Sequence, residues 1–225
     1  MSSTTMIRSD EQIQRDVLDE LKWDARVQPN EIGVAVKDGI VALTGWVDSF
    51  AKKWVAERAA HRVHGVMAVV NDIEVRLPGS AERSDEDLAL AATRALEWDT
   101  LVPMENVELT VSKGTVTLRG EVEWEFERQE AERAVRRLSG VRGVINAITV
   151  RPRVTASPQE LQQKIENALV RNAETDAQRI TIDVDGSKVI LRGTVRSWME
   201  KREAERIAWS SPGVTSVDNR IQIEF

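Results

Sequence analysis

The chain has 225 residues, of which 41% are hydrophobic and 30% are charged, which is the balance of a soluble globular protein. Its length allows one or two ordinary domains or three small ones. The net charge of −6 argues against a general nucleic-acid binder, because such a protein carries a basic face. The absence of cysteine excludes disulfides, cysteine–zinc sites and thiol nucleophiles.

The segments that would direct the chain into or across a membrane are also missing. No apolar run approaches the roughly 20 residues that span a bilayer. The N-terminal residues 1–12 lack the apolar core of a secretory signal. We therefore expect a cytoplasmic location and leave open a peripheral attachment to a membrane.

The first predicted element is an amphipathic helix that occurs three times. In residues 13–24 the apolar side chains Ile13, Val17, Leu18 and Leu21 recur at the spacing of one helical face. The same stripe returns further along the chain in two sets, Leu88, Ala92 and Leu96, and Leu161, Ile165 and Leu169. Asp85 and Ser157 are the expected N-caps of the second and third copies.

A β-hairpin follows each of these helices. Its second strand reads VALTGWV at 41–47, VTLRGEV at 116–122 and VILRGTV at 189–195. Apolar and polar residues alternate on both sides of a short turn that contains glycine, which predicts two antiparallel strands. The repeated phrase places three glycines at equivalent positions, Gly45, Gly120 and Gly193.

A second helix and a closing strand complete each unit. The helices are predicted at about 49–63, 124–138 and 197–210, and each is stopped by a glycine that lies 20 residues after the first one. These later glycines are Gly65, Gly140 and Gly213. An asparagine follows each of them by six residues and precedes an alternating apolar strand. The three asparagines are Asn71, Asn146 and Asn219.

The element order predicts an α+β protein of three tandem αββαβ modules. Because a strand–helix–strand crossover makes the last two strands parallel, each module should have a mixed three-stranded sheet covered on one face by two helices. The expected boundaries are 8–78, 83–152 and 156–225, with proline-containing linkers between them.

The aromatic residues point to candidate binding faces. Four positions on the second helix, at 5, 9, 12 and 16 residues after the first glycine, lie roughly 150° from its core stripe. Module 1 places Phe50, Trp54 and His61 there, module 3 places Trp198 and Trp209 there, and module 2 has only polar residues. Three interpretations stay open: packing against a neighbouring repeat or subunit, contact with lipid or ligand, or isolated exposed rings.

These faces supply the predicted binding residues for lipid or a partner. The set consists of Phe50, Trp54, Trp198, Trp209, Trp46, Lys53 and Arg202. Trp46 is expected to be half exposed, whereas Trp23 and Trp98 are expected to be partly buried structural rings. His61 and His64 are interpreted as a solvated helix end rather than a metal pair. No catalytic set, metal site or cofactor site is predicted, so we do not expect an enzyme.

The repeated pattern V-x-L-x-G-x-V, a charged alanine-rich helix and G-V-x-x-V-x-N-x-I-x-V resembles the BON domain, named for bacterial osmotically inducible and nodulation proteins. The resemblance covers nearly the whole chain in three copies. It implies a small αββαβ module that is often periplasmic, binds phospholipid or other partners at membranes and responds to osmotic or envelope stress.

The function that this resemblance implies is a non-enzymatic binding protein whose partner is membrane phospholipid or another protein. The aromatic faces would supply the contacts. The alternative is a soluble cytoplasmic scaffold that binds a protein partner or self-associates as a homo-oligomer through the same faces.

Overall fold

The computed structural model describes residues 8–27, 31–154, 156–172, 175 and 177–224. Over these residues the chain forms three consecutive α+β modules, which confirms the predicted fold class. Each module has two helices and a mixed sheet that is built around the second strand of its hairpin. In modules 1 and 3 the closing strand is interrupted, so that their sheets count four strands.

The elements follow one another in the same order in every module. Module 1 contains α1 (Asp10–Trp23), β1 (Ile32–Lys37), β2 (Ile40–Val47), α2 (Phe50–Arg62), β3 (Ala68–Asn71) and β4 (Glu74–Val75). Module 2 contains α3 (Asp85–Trp98), β5 (Val107–Ser112), β6 (Thr115–Val122), α4 (Glu125–Arg136) and β7 (Gly143–Val150). Module 3 contains α5 (Pro158–Arg171), β8 (Ile180–Asp185), β9 (Lys188–Val195), α6 (Trp198–Trp209), β10 (Ser216–Asn219) and β11 (Gln222–Ile223).

The sheet register confirms the mixed topology. In module 1 the hairpin strands β1 and β2 are antiparallel, with Val34 opposite Leu43, while β3 runs parallel to β2, with Val69 beside Val41. Modules 2 and 3 repeat both pairings. The parallel pair results from the helix that crosses over between its two strands.

Each module has its own hydrophobic core between the sheet and its two helices. The leucines of the three central strands, Leu43, Leu118 and Leu191, are fully buried. They belong to three separate clusters of buried side chains, one for each module. A core of this size gives a unit of about 70 residues only marginal stability, so contacts between modules matter for the whole chain.

The first glycine of each repeat is required by a close backbone approach. Gly45 has a φ of +107°, and a Cβ built on it would lie 2.0 Å from the carbonyl oxygen of Glu31. The equivalent glycines in modules 2 and 3 would bring a Cβ equally close to the carbonyls of Asn106 and Arg179. The later glycine lies in the turn beyond the second helix rather than directly after its last residue, since α2 is capped by Val63 and Gly65 follows two residues later.

The repeated asparagine ties the closing strand to the second helix. In module 1 the side-chain amide of Asn71 donates hydrogen bonds to the carbonyl of Lys53 (3.3 Å) and to the carboxylate of Glu57 (3.0 Å). Its Oδ1 accepts from the backbone N–H of Ile73. Asn146 and Asn219 form the same three bonds in their modules. The periodic asparagine therefore has a structural role in all three copies.

The start of the first helix differs between modules. The carboxylate of Asp10 accepts hydrogen bonds from two backbone N–H groups of the hairpin turn, at 2.8 and 3.0 Å. Asp85 does the same in module 2, where Ser84 and not Asp85 is the N-cap. Module 3 has Pro158 at this position, so this connection between helix and turn is confined to modules 1 and 2.

Candidate binding surfaces at the module junctions

The second helices α2, α4 and α6 contact one another, and the contacts follow one pattern. At each contact the last turn of one helix meets one of the first two turns of another. The last turn of α2 meets α6, the last turn of α6 meets α4, and the last turn of α4 meets α2. Head-to-tail contacts that return to the starting module close into a ring. The three modules are therefore arranged cyclically around their second helices.

The junction between modules 1 and 3 is closed by two stacked rings. The ring centroids of His61 and Trp198 are 4.0 Å apart, and their planes differ by 9°. Burial lowers the pKa of His61 to about 4, and the positive charge of Arg202 contributes in the same direction. Among the described residues neither His61 Nδ1 nor Trp198 Nε1 has a hydrogen-bond partner. The prediction of a solvated helix end was therefore wrong for His61.

The junction between modules 1 and 2 is closed by a cation on a ring. The guanidinium carbon of Arg136 lies 3.7 Å from the ring centroid of Trp54, and that of Arg58 lies 4.7 Å from it. Arg136 is only 9% exposed, and this burial lowers the pKa of its guanidinium while the nearby Glu132 opposes the shift. Phe50 completes the contact by packing against the core of module 2.

The junction between modules 2 and 3 is open by comparison. The first residue of the second helix is Phe50 in module 1 and Trp198 in module 3, whereas it is Glu125 in module 2. Glu125 is 5% exposed and accepts hydrogen bonds at 2.7 Å from Arg128 and at 3.0 Å from Gln129. Position 125 therefore offers no aromatic ring that could stack on the last turn of α6.

A cavity of about 370 Å³ occupies this third junction. Three rings line it, Trp124 and Phe126 from the start of α4 and Trp209 from the end of α6. The guanidinium of Arg128 lies 5.6 Å from the centroid of Trp209. Phe126 is 48% exposed at the mouth. The same backbone arrangement thus produces two filled junctions and one cavity.

The predicted binding rings lie at these junctions rather than on an open helix face. Phe50, Trp54, Trp198 and Trp209 are all half-buried. Trp54 packs against the core of module 1, and Trp198 and Trp209 pack against the core of module 3, so the expectation that these rings face away from their own cores was wrong. Each ring also meets a side chain of a neighbouring module, and Phe50 packs against the core of module 2. This arrangement leaves little of their surface for a bilayer.

The other three predicted binding residues are more peripheral. Trp46 is half-buried on the central strand of module 1, with the guanidinium of Arg76 5.8 Å from its ring centroid. Lys53 is half-buried, and its backbone carbonyl accepts from Asn71. Arg202 is exposed near the junction of His61 with Trp198.

Within the described part of the chain, the two most exposed aromatic rings were not among the predicted binding residues. Trp23 is 87% exposed and Trp98 is 86% exposed, so the prediction that both are partly buried was wrong. The helical wheel carries the signal: Leu21 is fully buried, and a residue two positions later points about 200° away from it. Both rings end the first helix of their modules.

The helices of the described residues do not meet the requirements of a membrane-spanning helix. Within the ranges that the structure covers, no helix combines the length and the apolar character needed to cross a bilayer.

Comparison with known proteins identifies the repeated unit. A sequence model of the BON domain matches three segments, residues 9–76, 84–152 and 157–224. Osmotically-inducible protein Y of Escherichia coli (strain K12) is 29% identical over 124 residues, which are 53% of this chain and 62% of that protein. The chain therefore matches less than two thirds of the length of this relative.

Solved structures show only distant likeness. CdsD, a structural protein of the Type III secretion system of Chlamydia trachomatis, aligns over 93% of this chain and 91% of that chain, with 11% identity and a TM-score of 0.27. The periplasmic domain of PrgH, a Type III secretion inner membrane protein of S. typhimurium, aligns over 92% and 99%, with 11% identity and a TM-score of 0.22. Scores this low support no structural or functional argument.

Proposed function

The chain belongs to the BON domain family, and from this premise we propose that it is a non-enzymatic binding protein that associates with phospholipid membranes during osmotic or envelope stress. Its similarity to osmotically-inducible protein Y supports the link to osmotic stress. Membrane association is supported by a pair of exposed rings.

The observation that carries this proposal is the exposure of Trp23 and Trp98. Both occupy the last position of the first helix in their modules, and each leaves more than four fifths of its surface open. Tryptophan prefers the boundary between membrane and water, because the ring is apolar and the indole N–H is polar. In module 3 the equivalent residue is Arg171, and its neighbour Val170 is 74% exposed.

The cyclic arrangement of the modules supports a joint action of these rings. In a ring of equivalent units, residues at equivalent positions lie at the same level along the axis of the ring. Trp23 and Trp98 would then reach one flat surface together. Two anchors on one rigid body bind more tightly than either alone, because the second enters an already positioned surface.

Ring insertion rather than charge should provide the binding energy. The chain carries a net charge of −6, which gives no general attraction to anionic lipid. The cations next to Trp23 are paired with acids, Lys22 with Asp19 at 3.1 Å and Arg26 with Asp24 at 2.7 Å. We therefore expect binding that depends weakly on salt and on the anionic lipid content.

Flotation of the protein with vesicles tests the proposal. The full chain should float with both zwitterionic and anionic vesicles, and Trp23→Ala/Trp98→Ala should lower the bound fraction by about tenfold or more. Leu90→Ala is the matched control, because it removes an exposed apolar side chain of α3 that is 59% exposed but not aromatic. Unchanged flotation of the double variant, or no flotation of the unmodified protein, would contradict the proposal.

A scaffold that self-associates is the second candidate function. It is favoured by two exposed apolar side chains on the open face of the module 1 sheet, Ile40 at 46% and Val70 at 47% exposure. Sedimentation should then give a mass above that of the monomer, and Ile40→Glu/Val70→Glu should return it to the monomer. A monomeric unmodified protein would exclude this candidate.

A further inference from the structure

The groove between the two helices of a module is filled in module 1 and open in module 3. In module 1 Arg62 of α2 reaches across to α1, where it donates to Glu20 at 2.6 Å and to Asp24 at 3.3 Å. In module 3 the positions of Glu20 and Arg62 are taken by Ala168 and Ser210. A groove of about 520 Å³ opens between α5 and α6 as a result.

The described side chains that line this groove are suited to an anion. They include three cations, Lys164, Arg171 and Arg206, and no carboxylate. Ser211, also in the lining, is 8% exposed, and its hydroxyl has no hydrogen-bond partner among the described residues. Burying a hydroxyl without a partner costs stability. A ligand that offers an acceptor would remove that cost.

The hydroxyl is specific to module 3. Modules 1 and 2 place apolar side chains at the position of Ser211, namely Val63 and Leu138. Both belong to the hydrophobic clusters of their modules. Module 3 has therefore exchanged a core contact for a polar group at the bottom of the groove.

The cations of the groove have acidic neighbours that offset part of their charge. The carboxylate of Glu203 accepts from Arg206 at 2.5 Å and offsets one of the three cations. The carboxyl ends of α5 and α6 also face this region and together contribute about one negative charge. The exposed carboxylate of Glu160, one turn before Lys164 on α5, offsets part of the charge of that lysine. Lys164 and Arg171 are the two lining cations that form no ion pair within the described part of the chain.

The open groove adjoins the cavity at the open junction. Arg206 and Ser210 line both spaces, so the two meet across the last turns of α6. On the junction side the wall consists of the rings of Trp124, Phe126 and Trp209 together with the polar side chains of Glu125 and Gln129. The combined space, which we call the α6 trench, has cations and hydroxyls at one end and three aromatic rings at the other.

We propose that the α6 trench binds a single-chain anionic amphiphile, a molecule with a phosphate or carboxylate head and one apolar chain. The head lies between Lys164 and Arg171, where charge-assisted hydrogen bonds hold it. The chain lies against the rings of the open junction. Each half of the trench has the volume of a small-molecule site. This ligand is a dissolved monomer, so the proposal does not depend on membrane association.

Calorimetric titration with dodecyl phosphate, kept below its micelle-forming concentration, tests this assignment. The unmodified full chain should bind one equivalent. Inorganic phosphate alone should bind at least about tenfold more weakly, because it lacks the chain. Dodecyltrimethylammonium should not bind, because its head is cationic. No heat from dodecyl phosphate, or equal binding of the cationic amphiphile, would overturn the proposal.

A variant that copies module 1 into module 3 provides the structural control. Ala168→Glu/Ser210→Arg installs the pair that fills the groove in module 1 and should weaken dodecyl phosphate binding by about tenfold or more. Ala95→Glu is the matched control, since it places the same acid opposite Arg137 in module 2 and should leave binding unchanged. Full binding by the double variant would contradict the site.

A second variant keeps the test decisive if the double variant does not fold. Lys164→Gln/Arg171→Gln removes the two cations without filling the groove, and both positions lie on the outer part of α5. Affinity for dodecyl phosphate should fall by about tenfold, and the dependence of affinity on salt should decrease with it. Unchanged affinity and salt dependence would show that the head does not lie there.

Discussion

The closed junction of modules 1 and 3 and the open junction of modules 2 and 3 use the same two helical turns with different side chains. At the closed junction His61 stacks on Trp198 at 4.0 Å. At the open one Trp209 faces Glu125 and a cavity of about 370 Å³ remains between them. Three repeats of one backbone therefore give two packed junctions and one that holds a cavity, which is part of the ligand site that we propose.

This division is consistent with how repeated proteins separate structure from function. A small module benefits from burying an aromatic ring against its neighbour, because its own core is small. Because two junctions already hold the modules together, close packing at the third junction is less important for the stability of the whole chain. Module 3 carries the α6 trench at this third junction. Its groove lacks the two ion pairs that Arg62 forms in module 1 and has Ser211 where module 1 has Val63.

The comparison of the junctions assumes that the three modules share one backbone conformation. Substitution of the first glycine of a repeat tests this assumption, and we expect it to have the largest effect on the free energy of unfolding. Gly45→Ala and Gly193→Ala should each lower the free energy of unfolding by at least about 3 kcal/mol, because the new Cβ would meet a carbonyl oxygen at 2.0 Å and 1.9 Å. Gly79→Ala has no atom within 4 Å of the added Cβ and serves as the control. Urea denaturation measures the effect, and a small loss at either glycine would contradict the shared geometry.

Removing a ring from each junction should show the energetic difference between them. Trp198→Ala should lower the free energy of unfolding by about 2 to 3 kcal/mol, because it opens the closed junction and leaves His61 without its stacking partner. Phe126→Ala at the mouth of the open junction should cost less than about 1 kcal/mol, since this ring is 48% exposed. Equal losses in the two variants would remove the distinction between the junctions.

A dependence of stability on pH should come from the closed junction. The pKa of His61 is about 4 in the folded protein, below its ordinary value of 6.5, so the unfolded chain binds the proton more tightly. Stability should therefore fall as the pH drops from 6.5 towards 4, by about 1 to 2 kcal/mol once solvent screening of the half-buried ring is allowed for.

Thermal unfolding between pH 7 and pH 4 measures this loss. His61→Gln should abolish the part of the decrease that lies between pH 6.5 and pH 4, whereas His64→Gln should retain it, because His64 is exposed. Asp24, whose pKa is lowered to about 2 chiefly by its hydrogen bond to Arg26, loses its stabilising contribution only below pH 4, so the two effects occupy separate ranges. A decrease that persists in His61→Gln would assign it to another group.

The sequence determined the module, because its signals are local. The alternation around VALTGWV, the apolar stripe of Ile13, Val17 and Leu21 and the spacing of the glycines each depend on residues that are close along the chain. Such patterns specify a helix, a hairpin and the face that each buries. They did not place the rings of α2 and α6, because Trp54, Trp198 and Trp209 pack against the cores of their own modules as well as against a neighbouring module.

The partners of those rings could be read only from the folded chain. Trp54 and Arg136 are 82 positions apart, and Trp198 and His61 are 137 apart, so no local pattern relates them. Their contacts depend on the relative orientation of the three modules. Many weak interactions, summed over the three junctions, set this orientation. The opening of the α6 trench follows from that same arrangement and from the side chains that meet in it, whereas the exposure of Trp23 follows from its position on the helical wheel of α1.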